Sequence, residues 1–233
     1  MGLAELPDAA DLIDRLLERS RGLSSYSEVS MTVHRPDWER NSSLKSWTRG
    51  EADSLIRFIA PARDAGNGTL KKGSQMWTYT PKLNRVIRLP SSMMSQSWGG
   101  SDFSYNDLAR SDELREHFDH RIEAAGESGG QALFRVTSIP RPGAPVVWGK
   151  QELTIRADLV LIEQLFFDQD LKPLKRMTGH DFADAGDGRW LAMRMRMHTL
   201  EKDDHWTEIR YDTIKFDVDV ADRTFTQFAL KNP

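Results

Sequence analysis

The feature that most constrains the fold is a long succession of short strand-like segments separated by turn residues. About ten to twelve such segments follow one another at hairpin spacing, most with apolar side chains at alternate positions. Strands joined by short turns pair in an antiparallel manner, so the pattern predicts one antiparallel sheet that is long enough to curl. The predicted strands cover residues 27–34, 44–49, 54–60, 75–80, 85–89, 118–124, 132–139, 147–155, 161–167, 174–182, 190–200 and 205–216.

One amphipathic helix is predicted near the N-terminus. It follows Asp8, ends before Gly22 and carries an apolar stripe formed by Ala9, Leu12, Ile13, Leu16 and Leu17. Shorter helices are predicted at 105–109 and 112–116, where they would form a small lid beside the preceding loop. Because no linker, internal repeat or charge block interrupts the pattern, residues 1–233 are expected to form a single domain.

Composition excludes several classes of function. The net charge of -3 argues against nucleic acid as a partner, because phosphate binding requires clustered positive charge. The absence of Cys excludes a disulfide framework, Cys-ligated zinc and a thiol nucleophile. No apolar run reaches the ~18 residues that suggest a membrane-spanning helix. Of the six histidines, His117 and His120 are three residues apart, a spacing that suits a metal site on a helix. They fall at the start of a predicted strand, which puts them on opposite faces, so neither a metal nor a cofactor is expected.

The hairpin over residues 75–89 continues into a loop that is unusually apolar. Loops are normally polar, yet this one keeps Met93, Met94, Trp98 and Phe103 among Ser and Gly residues. Methionine adapts its shape to irregular apolar partners, so the loop is interpreted as a cover over an apolar cavity. The alternative is that the loop packs on its own core.

Two strand surfaces are candidates for the walls of such a cavity. Alternation predicts one wall formed by two pairs in the hairpin, Trp77, Tyr79, Ile87 and Leu89. The second wall comes from the strand at 190–200, where alternation places Met193, Met195 and Met197 on one face. Methionine specifies a fixed core poorly, which favours an adaptable cavity, although ordinary core packing against the N-terminal helix is the alternative.

No pattern in the chain argues for a reaction. Gly-x-Ser-x-Gly, P-loop, GxGxxG and HExxH motifs are all absent. A lipid hydrolase would have to use Ser101, Asp102 and His120. Turn and helix-capping roles explain Asp102 and Asp107 better, so the protein is not expected to be an enzyme.

The hairpin and its loop resemble a known family. Trp77, Tyr79 and Pro81 form a W-x-Y-x-P pattern, Arg88 and Pro90 follow, and residues 100–108 read GSDFSYNDL. These motifs, with weaker matches at 162–177 and 223–230, are similar to those of the bacterial outer-membrane lipoprotein-sorting proteins, the LolA-like family. The resemblance begins near Tyr26 and covers most of the chain.

The resemblance implies a curled, incompletely closed antiparallel β-barrel with an N-terminal helix and a short helical lid. It implies a periplasmic carrier that binds acyl chains of lipoproteins or lipids, with an inner-membrane exporter and an outer-membrane acceptor as partners. The family offers no catalytic residues to carry over. Because residues 1–17 lack the basic and apolar regions of a signal peptide, the periplasmic location is an expectation from the resemblance alone. A sensor on the same fold that regulates envelope-stress signalling is the alternative.

Overall fold

The computed structural model describes residues 6–109 and 113–232, and β-strands dominate it. The strands are β1 (Ser24–Arg35), β2 (Trp38–Arg49), β3 (Asp53–Ala60), β4 (Gly68–Lys72), β5 (Gln75–Thr80), β6 (Arg85–Arg88), β7 (Phe118–Ser128), β8 (Gln131–Pro140), β9 (Lys150–Arg156), β10 (Leu161–Phe167), β11 (Pro173–Asp184), β12 (Trp190–Thr199) and β13 (Trp206–Phe216). The helices are α1 (Ala9–Arg21), α2 (Tyr105–Ala109), α3 (Glu113–His117) and α4 (Gln227–Lys231), with short 3-10 turns at Ser91–Met93, Trp98–Gly100 and Asp222–Phe225.

The strands form one antiparallel sheet in the order β6-β5-β4-β3-β2-β1-β13-β12-β11-β10-β9-β8-β7. The sheet is not closed, and β6 and β7 are its edge strands. This confirms the mainly β fold with an open antiparallel sheet, an N-terminal helix and short helices. Among the strands the sequence missed only β4, and it also missed the short helix α4. The predicted start of α3 at Asp112 lies outside the described residues.

The chain divides into two compact units. Unit 1 contains α1 up to Ser20 and the segment from α3 through β12 to His205. Unit 2 contains β1 to β6, the loop that leads to α2, strand β13 and the C-terminal segment. The single-domain organisation expected from the sequence stays a prediction.

Helix α1 of unit 1 has the limits and the apolar stripe that the sequence predicts. The Asp8 side chain accepts a hydrogen bond from the Asp11 amide at 2.9 Å, which satisfies a free donor of the first turn. Gly22, with a φ of 67°, ends the helix in the left-handed region that favours glycine. Four residues of the stripe are buried: Ala9, Leu12, Ile13 and Leu16.

The sheet of unit 1 has one apolar and one charged face. Met197 pairs with Met177, and the same row continues through Gln164, Leu153, Val136 and Ile122. On the opposite face, Arg196 pairs with Thr178, and its row continues through Glu163, Thr154, Arg135 and Glu123. The methionines of β12 therefore lie on the apolar face, as alternation predicts.

The sheet of unit 2 is covered on both faces. We call the face that carries Leu55, Leu70 and Tyr79 the C-terminal face, because these residues form a buried cluster with Phe225 and Leu230. The partly buried side chains packed on this cluster are Trp47, Trp77, Val86 and Val220. The other side, the loop face, carries Val29, Leu44 and Phe58 in one row. A neighbouring row on the same face runs from Ile56 through Thr69 and Thr78 to Ile87.

The C-terminal segment is held close to the sheet. A Cβ atom at Gly68 would lie 2.7 Å from Leu230 Cδ1, so the absence of a side chain in β4 lets α4 approach. Arg57, which is buried, donates a hydrogen bond to the carbonyl oxygen of Ala229. Burial lowers the pKa of Arg57. The C-terminal face is thus a packed core with one buried cation at its edge.

Candidate functional site

The hairpin β5–β6 does not form the single wall that the sequence predicted. Trp77 pairs with Arg88 and Tyr79 pairs with Val86, whereas Ile87 lies opposite Thr78. The turn at 81–84 has an even number of residues, so odd positions of β5 share a face with even positions of β6. Each predicted pair does share a face of its own strand, but the two pairs lie on opposite faces of the sheet.

Trp77 and Tyr79 consequently belong to the core beneath the C-terminal segment. Ile87 and Leu89 lie on the loop face, where Ile87 is exposed and Leu89 is buried. Their expected role in ligand binding stays a prediction. Only Ile87 and Leu89 lie on the face that the apolar loop covers, so only this pair is positioned to take part in such a site.

The apolar loop at 91–109 is anchored on the loop face by Trp98. This side chain is 3% exposed, and its ring centroid lies 5.5 Å from that of Phe58. Its indole Nε1 donates a hydrogen bond to Thr69 Oγ1 at 3.1 Å. Gly99 follows with a φ of 57°, and a Cβ atom there would lie 3.0 Å from the Phe58 ring. Trp98 and Gly99 together fix where the loop meets the sheet.

The loop also has an internal frame of hydrogen bonds. Trp98 N donates to the carbonyl oxygen of Phe103 at 2.8 Å, and Ser97 pairs with Ser104 as an isolated bridge. Ser104 N donates to Asp107 Oδ2 at 2.7 Å while Asp107 N donates to Ser104 Oγ at 3.2 Å. This reciprocal pair is the capping arrangement of a helix start, which confirms the expected role of Asp107.

Asp102 has a different role from the turn residue expected. Its carboxylate accepts hydrogen bonds from Arg35 Nη1 at 2.9 Å and from Thr207 Oγ1 at 2.6 Å. The side chains of Asp102 and Arg35 are 4% and 14% exposed, so this is a buried ion pair. Arg35 Nη2 also donates to the carbonyl oxygen of Gly100 at 3.3 Å. The pair ties the loop to β1 and β13.

Sequence analysis missed Arg35, Arg40 and Thr207. A usable signal existed for Arg35, because it continues the apolar alternation of Val29, Met31 and Val33 with a charge. A charged residue at a core-facing position predicts a buried partner. No comparable signal marks Arg40 or Thr207, whose partners are distant in sequence.

The remaining loop residues predicted for the site differ in exposure. Phe103 is buried, whereas Met93 and Met94 are partly exposed. The loop therefore packs on the sheet through its aromatic residues and leaves its methionines accessible. Packing on the protein's own core describes the aromatic residues of the loop. The role of its methionines as a cover over an apolar cavity stays a prediction.

Met193, Met195 and Met197 belong to unit 1. Met197 is 1% exposed and pairs with Met177, whereas Met193 and Met195 are partly exposed. Met195 pairs with Gly179, which contributes no side chain to the surface beside it. The apolar face of unit 1 therefore presents partly exposed methionines next to buried core residues.

A small cleft lies beside Trp98 in unit 2. It has a volume of about 160 Å³ and is lined by Arg40, Phe58, Asp64, Asn67, Gly68, Thr69, Thr78, Thr80, Trp98, Gly99 and Tyr105. Arg40 donates a hydrogen bond to the carbonyl oxygen of Gly99 and so contributes to holding the loop. Most of the lining side chains are polar, which distinguishes the cleft from the methionine surfaces.

The three residues that a hydrolase would need are committed to other contacts. Ser101 Oγ donates to the carbonyl oxygen of Trp98 at 2.7 Å. His120 lies 2.9 Å from Ser138 Oγ and 3.1 Å from the carbonyl oxygen of Leu114, measured from its ring nitrogens. Burial lowers the pKa of His120, which favours its neutral form.

Metal ligands and membrane-spanning helices are two other features of interest in the described ranges, 6–109 and 113–232. In these ranges no group of three or more His, Asp or Glu side chains is placed to hold a metal ion. None of the helices in the same ranges combines the length and the apolar character needed to cross a membrane.

Comparison with solved structures defines the class of fold. A DUF1329 family protein from Desulfovibrio piger matches with a TM-score of 0.85 at 24% identity, covering 95% of this chain and 97% of that one. A domain assigned to the outer membrane lipoprotein-sorting proteins of Vibrio parahaemolyticus matches with a TM-score of 0.81 at 23% identity, covering 96% and 98%. A LolA superfamily protein from Nitrosomonas europaea gives 0.79 at 18% identity, covering 96% and 100%. The chain has the LolA-like fold.

A family model described as "Uncharacterized protein" matches residues 50–232, which is most of the chain. The chain belongs to this family. The search of curated proteins found no match.

Proposed function

We propose that the protein is a periplasmic carrier that binds acyl chains of lipoproteins or lipids and moves them towards the outer membrane. The observation that carries this proposal is the set of partly exposed methionines, which lie beside buried apolar residues in each unit. In unit 2 these are Met93 and Met94, and in unit 1 they are Met177, Met193 and Met195. The shared fold with a lipoprotein-sorting domain supports the same class of function.

The chemistry of these surfaces suits an acyl chain. Transfer of each CH₂ group out of water contributes about 0.8 kcal/mol, and no polar group on the ligand is needed for that gain. Methionine side chains adjust to chains of different length and bend, because they are unbranched and flexible. In unit 2 the proposed contacts are Met93, Met94 and the exposed Ile87, with Trp98, Phe103 and Leu89 as the buried support.

A displacement assay with a fluorescent fatty acid tests the proposal. We expect saturable binding of the probe and its displacement by palmitate. Met195→Ser should weaken binding, because it places a hydroxyl on the apolar face of β12. The matched control is Arg196→Gln, which changes the charged face of the same strand and should leave binding unchanged. Absence of saturable displacement in the unsubstituted protein would contradict the proposal.

The cargo can be sought directly. Native mass spectrometry of protein isolated from the periplasm should detect bound acylated molecules, and transfer partners should include an inner-membrane exporter and an outer-membrane acceptor. Recovery of the protein from the periplasm without any bound lipid, together with a failed displacement assay, would sink the carrier hypothesis. Stable association with a membrane-stress regulator instead of cargo would favour a sensor.

A further inference from the structure

The cleft beside Trp98 contains two opposite charges that do not meet. Arg40 and Asp64 both line it, yet no ion pair within 4.0 Å joins them. Among the described residues, Arg40 has no carboxylate partner, and the Asp64 carboxylate contacts only the Arg63 side chain next to it, at 3.4 Å. The guanidinium of Arg40 and the carboxylate of Asp64 therefore line the same cleft without forming an ion pair with each other.

Other polar groups in this cleft also lack protein partners. Arg40 Nε is buried, and its N–H donates a hydrogen bond to no atom of the described residues. The side chains of Asn67, Thr80 and Tyr105 line the same cleft, and none of them makes a hydrogen bond with another of the described residues. Buried polar groups in folded proteins are normally satisfied, so the buried Arg40 nitrogen calls for an acceptor. Asn67, Thr80 and Tyr105 are only partly buried, and their side chains can both donate to and accept from a polar occupant.

Size limits what that occupant can be. A volume of about 160 Å³ is below the range of roughly 300–1,000 Å³ that pockets for drug-sized ligands occupy. A water molecule takes about 30 Å³ of liquid, so the cleft matches a group that replaces a handful of waters. An entire acyl chain does not match this space, but a compact head group does.

We propose that this cleft binds an aminoalkyl phosphate, the zwitterionic chemistry of a phosphoethanolamine head group. The phosphate would lie against the Arg40 guanidinium, whose planar donors suit phosphate oxygens, and the ammonium against Asp64. Thr80 and Tyr105, which line the same cleft, would supply hydroxyls to the phosphate oxygens. This inference rests on the proposed lipid-carrier function, because Trp98 and Tyr105 belong to the loop whose Met93 and Met94 are proposed to contact the acyl chain.

Binding to head groups without acyl chains tests the cleft by itself. The probes are glycerophosphoethanolamine, glycerophosphoglycerol, inorganic phosphate and ethanolamine, titrated into the full chain and followed by calorimetry and by amide chemical shifts. We expect saturable binding of glycerophosphoethanolamine, and binding of each of the other three that is about ten-fold weaker or more. No saturable binding of glycerophosphoethanolamine, or equal binding of glycerophosphoglycerol, would overturn the proposal.

Two substitutions assign the charges. Asp64→Asn removes the anion with little change of shape and should abolish the preference for the amine, leaving the two glycerophosphodiesters equal. Arg40→Gln should weaken both by about ten-fold or more. Because Arg40 also contacts the loop, Asp64→Asn is the variant that keeps the test independent of folding. Asp170→Asn, which makes the same isosteric change at an exposed carboxylate outside the cleft, is the matched control. Binding unaffected by Asp64→Asn would refute the assignment.

The source of the head group is resolved by a further pair of ligands. Dihexanoyl phosphatidylethanolamine should bind more tightly than free phosphoethanolamine if the source is a lipid, and equally if it is a soluble phosphate ester. The fatty-acid displacement assay on the same preparations separates the two proposals. Displacement without head-group binding refutes the cleft alone, and head-group binding without displacement refutes the acyl-chain carrier alone.

Discussion

The two faces of the sheet in unit 2 are covered in different ways. On the C-terminal face, Phe225 and Leu230 are fully buried and complete an apolar cluster. On the loop face, the cover is fixed at a few points by Trp98, by the Asp102–Arg35 pair and by Arg40, and it leaves a polar cleft and accessible methionines. The C-terminal segment therefore completes an apolar core, whereas the apolar loop is attached mainly by polar contacts that fix its position on the sheet.

The largest expected effect is on the C-terminal face. Phe225→Ala should destabilise the protein by about 3–5 kcal/mol, because it removes a fully buried ring and leaves a cavity. Urea unfolding followed by circular dichroism measures this. The control is Phe228→Ala, three residues away and 77% exposed, which should leave stability unchanged. Equal effects of the two substitutions would show that the segment is not a packed cover.

Asp102→Asn should have the next largest effect, about 3 kcal/mol, because it leaves the Arg35 charge buried without its anion. The same isosteric change at Asp181, which pairs with Arg194 at 2.7 Å on the surface, should cost about 0–1 kcal/mol. Unfolding in urea compares the two. A loss at Asp102 no greater than that at Asp181 would mean that the ion pair does not hold the loop.

Trp98→Phe should cost about 1–2 kcal/mol, since the hydrogen bond to Thr69 is lost while the aromatic contact with Phe58 remains. A double-mutant cycle with Thr69→Val isolates the contribution of that bond. Trp190→Phe, at a position 41% exposed, serves as the control and should change nothing. Additive effects of the Trp98 and Thr69 substitutions would disprove the coupling.

The smallest effect on stability is expected at Met93. Met93→Ser should change the free energy of unfolding by no more than about 0.5 kcal/mol, because the side chain is partly exposed. It should nevertheless weaken the binding of the fluorescent fatty acid, which separates a binding role from a structural one. Leu83→Ser in the hairpin turn, at a position 63% exposed, should leave both quantities unchanged. Unaltered affinity in Met93→Ser would remove the loop methionines from the proposed site.

Much of the fold could be predicted from the sequence because alternation and turn residues are local signals. Strand β10 and the limits of β5 and α2 agree residue for residue with the prediction. Strand β4 was missed, because Gly68–Lys72 is short, ends in two lysines and shows no alternation. Its strand conformation depends on pairing with β3 and β5, which is tertiary information.

The candidate site was less predictable, for reasons that are also physical. Alternation fixes which side chains share a face within one strand, but the parity of the β5–β6 turn decided which faces Trp77 and Ile87 occupy. The Asp102–Arg35 pair joins residues 67 positions apart, and no local pattern connects them. The composition of the loop identified its apolar residues, but the prediction treated them as one group. It did not separate the buried Trp98 and Phe103 from the partly exposed Met93 and Met94.

The open edges of the sheet have a consequence for self-association. An unpaired edge strand offers free backbone donors and acceptors to a second copy, and such strand addition is a common start of aggregation. Strand β6 limits this risk by being short and by having Arg85 and Arg88 at its ends. Strand β7 is longer, but it carries Arg121 and Glu123 within its exposed length. These charges should keep concentrated solutions of the protein free of edge-to-edge fibres even though the sheet never closes on itself.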